Sequence, residues 1–183
     1  IDAAHPRVNG VAGGVAIEYD PESPTGVRMH EGPHEDVYGH GTACAAIIHS
    51  LAPDAEIYSI RVLGKRLTGK AFIFAAGLRW AIEHGMDVVN LSLSTSNRAH
   101  YATFHRLVDD AVFGRVMVVS AMTNWPGRSY PSEFSGVFSV AAHDGTDPKA
   151  FDFNPRPPAE WGAPGIDIEI AGLNGSTMRA SGN

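Results

Sequence analysis

The chain has 183 residues, 44% hydrophobic and 19% charged, with a formal net charge of −6. That length and balance suit one globular domain with a sizeable core. The acidic excess argues against a nucleic-acid partner, which would need clustered Lys and Arg, and no apolar run approaches the roughly 20 residues of a membrane helix.

The single cysteine, Cys44, cannot form an internal disulfide. The start carries no signal-peptide pattern. Its opening Ile1-Asp2, without Met, is read as following a segment that has been removed. Short β-branched runs alternate with helical runs, which predicts a parallel sheet covered on both faces. Strands are expected over 15–17, 56–62, 87–93, 116–121, 137–142 and 167–170, and helices over 42–50, 70–84 and 102–113. In the third helix Phe104, Leu107, Val108, Ala111 and Val112 follow a helical repeat. Gly85 is expected to close the second helix. Residues 19–38 and 146–158 read as loops rich in Pro, Gly and charge. Nothing divides the chain, so residues 1–183 are read as one domain.

The most informative stretch is Asp36-Val-Tyr-Gly-His40-Gly41-Thr42-Ala-Cys44-Ala-Ala. Gly41 permits a close backbone approach, Thr42 suits a helix start, and the small residues after it suit tight packing. An imidazole titrating near pH 6.5 becomes a general base when a carboxylate and a nucleophile flank it. A lone His-Gly-Thr would as readily be a structural helix end.

This stretch resembles the histidine motif of subtilisin-like serine proteases, and further motifs follow in family order. Residues 52–63 resemble the strand after the His helix. Residues 77–94, ending Asn90-Leu-Ser92-Leu93-Ser94, resemble the next helix and strand. Val116-Met-Val-Val-Ser-Ala-Met-Thr-Asn124 resembles the strand that delivers an oxyanion-hole Asn. Tyr130-Pro131 and Gly162-Ala-Pro-Gly165 continue the likeness.

The resemblance implies an α/β fold: a three-layer sandwich with a mostly parallel central sheet and helices on both faces. It implies a serine-type endopeptidase with a peptide or protein substrate, secreted rather than cytoplasmic, and a monomer. His40 becomes the general base and Asn124 the oxyanion donor. Ser92, Leu93, Ser94 and Ala121 line the substrate cleft, where a peptide adds as a strand. One such donor is worth roughly 10²–10³ in turnover, the value established on a subtilisin. Ser94 and Thr123 stand where the family commonly has Gly. Cys44 resembles a thiol of the proteinase K branch, and also fits as a small packing residue.

Ile1-Asp2-Ala-Ala-His5-Pro6 resembles the tail of the family's aspartate motif, with Asp2 matching its second Asp. The triad Asp is then expected upstream of Ile1, with Asp2 itself as the other candidate. Asn174-Gly-Ser176-Thr177-Met resembles the serine motif, but Ala180-Ser181-Gly182-Asn183 resembles the Ser-Gly-Thr that directly precedes the nucleophile, and the position just after Asn183 lies at the family's distance from Gly165. The nucleophile is then expected just after Asn183. Ser176, Thr177 and Ser181 become polar loop residues, and Ile1 and Asn183 should both approach His40. On this reading the 183 residues alone are inactive. The competing class is a pseudoprotease that binds peptides without cleaving them, which the residues at 94 and 123 favour.

No cofactor is expected. Many relatives bind structural calcium through loop oxygens, but no calcium loop is assignable. His30, Glu31, His34, Glu35 and Asp36 cluster without a standard ligand spacing, so they read as a solvated acidic loop.

Overall fold

The structure, a computed structural model, describes residues 1–182. Two compact units emerge: 1–77 with 169–179, and 78–168 with the residues from Ala180 on. Both are built from parallel-paired strands and helices, the α/β class read from the sequence.

In the first unit β1 (Gly13–Tyr19) lies between β2 (Val27–Glu31), antiparallel, and β3 (Tyr58–Arg61), parallel. Val15, Ala16 and Ile17 are buried, as an apolar strand interior should be. The β2 segment falls inside the predicted loop at 19–38. Its Val-Arg-Met-His-Glu sequence is almost wholly exposed, so it has no buried face to produce a pattern. The ladder to β1 alone makes it a strand.

Helix α1 (His40–Leu51) begins two residues earlier than predicted. Its Ala45 and Ala46 pack with Val8 and Ala171, and Ile1, Val11 and Ile57 border this cluster. Alanines let the backbone of the helix come close to its neighbours. Helix α2 (Ala71–Glu83) ends where Gly85 takes φ +65°. Gly85 N–H bonds Ile82 C=O, and Met86 N–H bonds Ala81 C=O, the paired bonds of a Schellman stop.

The second unit holds β4 (Val88–Leu91), α3 (Tyr101–Phe113), β5 (Met117–Ala121), β6 (Val137–His143), β7 (Asp152–Arg156) and β8 (Ala159–Pro164). The sheet runs β4-β5-β6-β8-β7, parallel except for β7. The predicted apolar stripe of α3 is buried: Phe104, Leu107, Val108 and Ala111. Each of the three larger side chains contributes roughly 1.5–3 kcal/mol by leaving water. The exception is Val112, which is 50% exposed. It sits at the margin of the stripe.

The second predicted loop, 146–158, contains β7. A Pro-bearing edge strand escapes pattern reading, but an edge tolerates Pro155, and the pairing shifts between Phe153 and Arg156. Phe153 also packs on Trp161, ring centroids 5.1 Å apart. Finally β9 (Ile168–Ala171) and β10 (Thr177–Ala180) form a two-stranded sheet. Thr177, expected in a loop, therefore lies in a strand.

Candidate active site

In the first unit the site is the start of α1. Helix starts leave backbone N–H groups without partners. Gly39, at φ 102°, turns the chain into the helix through the left-handed region that glycine tolerates. An added Cβ there would meet Leu173 Cγ at 3.3 Å. At Gly41 it would meet only ordinary contacts at 3.5 Å. The steric demand expected at 41 therefore falls on Gly39.

Asp36 accepts three N–H groups at and just before this start. Its Oδ1 accepts from Tyr38 N–H (3.0 Å) and Gly39 N–H (2.6 Å). Its Oδ2 accepts from Thr42 N–H (2.8 Å) and Thr42 Oγ1 (2.7 Å). Burial alone would raise the Asp36 pKa. The Thr42 hydroxyl and the three N–H groups outweigh it and hold the carboxyl at about 2. Asp36 is thus an ionised cap whose lone pairs serve the helix start that presents His40.

Thr42, fully buried, also accepts Asp2 N–H at 2.8 Å. Asp2 Oδ1 accepts Ala4 N–H at 3.0 Å, the bond of a local turn. His5 is buried as well. Its Nδ1 accepts Arg7 N–H (3.1 Å), so Nε2 carries the proton and donates to Ser176 C=O (3.3 Å). Ser176 Oγ donates to Leu173 C=O at 2.8 Å. Ser176 is thus built into a turn.

His40 is half-buried, and Cys44 Sγ stands 4.0 Å from its Nε2. Ile1 lies beside Gly41. The counterpart expectation, Asn183 near His40, lies outside the described residues.

The acidic cluster at 30–36 is divided. His34 Nδ1 donates to Gly32 C=O (3.1 Å) and its Nε2 bonds Ser59 Oγ (2.8 Å). Burial holds this imidazole below its ordinary range, against the pull of the Gly32 bond. Among the described residues no three His, Cys, Asp or Glu side chains converge as a metal cage.

In the second unit the candidates meet at one sheet edge. Strands β4 and β5 are parallel neighbours with Leu91 opposite Ser120. Ser92–Ser94 follow β4, while Ala121 ends β5 and leads to Asn124. In parallel sheets ligands bind beyond the carboxyl ends of strands. Ser92, Leu93, Ser94 and Ala121 are half-buried there, and Asn124 is exposed. Ser92 Oγ accepts from Asn90 Nδ2 at 3.0 Å.

The Asn124 amide nitrogen lies 3.7 Å from where a Cβ on Gly182 would stand. Gly182 N–H donates to Gly165 C=O (2.9 Å), and Ser181 Oγ accepts Asp167 N–H (2.8 Å). Thus the Ser181-Gly182 end is bonded to the turn after β8, next to Asn124.

Sequence reasoning missed Ser129 and the pairing of Thr95 with Tyr130. Neither residue type nor spacing signals a buried hydroxyl that bonds six residues back.

The family model described as the subtilase family matches residues 1–182. Thermostable alkaline protease of Halalkalibacterium halodurans is 29% identical over 91% of this chain and 45% of its own length. Subtilisin Savinase of Lederbergia lenta is 33% identical over 79% of this chain and 60% of its own. Among solved structures, that of Prenylagaramide maturation protease PagA has a TM-score of 0.63 at 22% identity, covering 79% of this chain and 58% of that one. The last comparison speaks for the fold alone. The chain spans about half the length of the curated relatives it matches. With a family match that begins at Ile1 and runs to Gly182, the chain belongs to the subtilase family.

Proposed function

We propose that this chain carries the general base and one oxyanion donor of a serine-type endopeptidase, with the triad Asp and Ser contributed by residues outside these 183. The order Asp, His, Ser is that of subtilisins. His40 takes the proton of the serine hydroxyl as that oxygen attacks the peptide carbonyl, then passes it to the leaving amine. The Asn124 side-chain N–H bonds the oxygen on which negative charge develops. Backbone at Ser92–Ser94 receives the substrate as an added strand, and Ala121 borders the same edge. The substrate is a peptide or protein, met outside the cell by a monomeric enzyme.

The observation that carries this reading is the approach of Gly182 to the Asn124 amide. In the family motif Ser-Gly-Thr directly precedes the nucleophile, so this approach supports the reading of Asn124 as the oxyanion donor. Ile1 lies beside Gly41 at the α1 start, which supports entry of the Asp-bearing segment there.

Assaying the 183-residue chain on a generic peptide, with His40→Ala as control, tests the proposal. No His40-dependent turnover is expected. Such turnover would overturn the assignment of the Ser and return Ser176 or Thr177 as nucleophile. The pseudoprotease reading, favoured by Ser94 and Thr123, predicts instead that the flanking residues lack Asp or Ser.

A further inference from the structure

Ser129 and Ser132 are 0% and 1% exposed, a costly place for hydroxyls unless their bonds are made. The directions of those bonds can be assigned. Ser132 Oγ donates its one proton to Ser129 C=O at 3.0 Å. The 2.6 Å contact between the hydroxyls therefore runs from Ser129 to Ser132. Ser129 Oγ is left as an acceptor, and it takes Thr123 N–H at 3.0 Å. Thr123 immediately precedes Asn124, and its Oγ1 accepts Trp125 N–H on the other side at 3.3 Å. Both neighbours of Asn124 are braced.

The same short segment is anchored by its backbone. Ser129 N–H donates to the Glu133 carboxylate, whose other oxygen accepts from Arg128 Nη1 at 3.0 Å. Tyr130 exchanges two 2.9 Å backbone bonds with Thr95, the residue after Ser94. Consecutive residues thus hold the Asn124 loop and the end of the substrate strand.

We propose that Ser129 is a positioning residue for oxyanion stabilisation: through the Thr123 N–H it sets where the Asn124 amide is held, with Ser132 orienting its hydroxyl. The proposal rests on the reading of Asn124 as oxyanion donor. Such a donor must fit the transition-state oxygen rather than the ground-state carbonyl. A misplacement of about 1 Å can cost roughly 10²-fold.

The test is a kinetic cycle in the full-length protein on a peptide substrate. Ser129→Ala is expected to lower kcat roughly tenfold to hundredfold with KM within about twofold. In an Asn124→Ala background the same change should have no further effect. Ser132→Ala keeps the acceptor but loosens its orientation, so it should give a smaller loss in the same direction. It carries the cycle if Ser129→Ala does not fold. Amide exchange by NMR gives a readout that needs no turnover: the Thr123 N–H should be protected in the wild type and exposed in Ser129→Ala. Unchanged kcat in Ser129→Ala, an equal loss in both Asn124 backgrounds, or an unprotected Thr123 N–H in the wild type overturns the proposal. An Asn124→Ala variant as active as the wild type overturns the oxyanion reading and this proposal with it. An Asn124→Ala loss without coupling overturns this proposal alone.

Discussion

The sulfur of Cys44 stands 4.0 Å from Nε2 of His40, one helical turn further along α1. A half-buried thiol so close to the proposed general base makes that imidazole sensitive to anything attached to the sulfur. A mercurial on Cys44 should displace His40 and lower peptide hydrolysis by the full-length protein at least about tenfold. The Cys44→Ala variant should hydrolyse peptide and ignore the reagent. Equal inhibition of the two would show that the sulfur is not the point of attack.

Asp36 links stability to acid. Its folded pKa, about 2, lies below the ordinary 3.8. The ionised form is thus favoured by folding. Its contribution is complete above the ordinary value and is lost as pH falls through the folded one. For a partly solvated group a shift of this size contributes about 1 kcal/mol. Urea unfolding at several pH values between 2 and 6 should show this loss in the wild type. In Asp36→Asn the profile should be flatter by that amount.

Gly165 has no room for a side chain. A Cβ there would fall 2.6 Å from Gly182 C=O and 2.8 Å from Ala142 Cβ. Overpacking of this kind costs about 1–3 kcal/mol. Gly165→Ala should lower the thermal midpoint accordingly and loosen the bond from Gly182 N–H. Faster amide exchange at Gly182 would report the second effect, and an unchanged midpoint would count against the packing argument.

Arg115 offers the opposite case. After α3 it takes φ 59°, with its N–H on Val112 C=O and Val116 N–H on Ala111 C=O. This is the residue of a Schellman stop that is usually glycine. An L side chain in that conformation costs about 1 kcal/mol. Arg115→Gly should therefore raise stability by about that much in chemical denaturation. Destabilisation would mean that the arginine side chain does more than occupy the turn.

The sequence by itself determined the elements whose burial is periodic or continuous. The stripe of α3, the small-residue face of α1 and the apolar strands β1, β5 and β6 are where their patterns put them. The motif around His40 and the run ending in Asn124 were legible for the same reason: they are local, and order along the chain carries them. Edge strands β2 and β7 were not legible, because an exposed ladder needs no hydrophobic pattern and is made by the partner strand. Only the tertiary structure decided that Asp36 spends its carboxylate on the Tyr38, Gly39 and Thr42 N–H groups and the Thr42 hydroxyl. Likewise it alone joined Ser129 to Thr123, Tyr130 to Thr95 and Gly182 to Asn124. Those contacts depend on which strand ends the topology brings side by side, and no spacing in a linear chain encodes that.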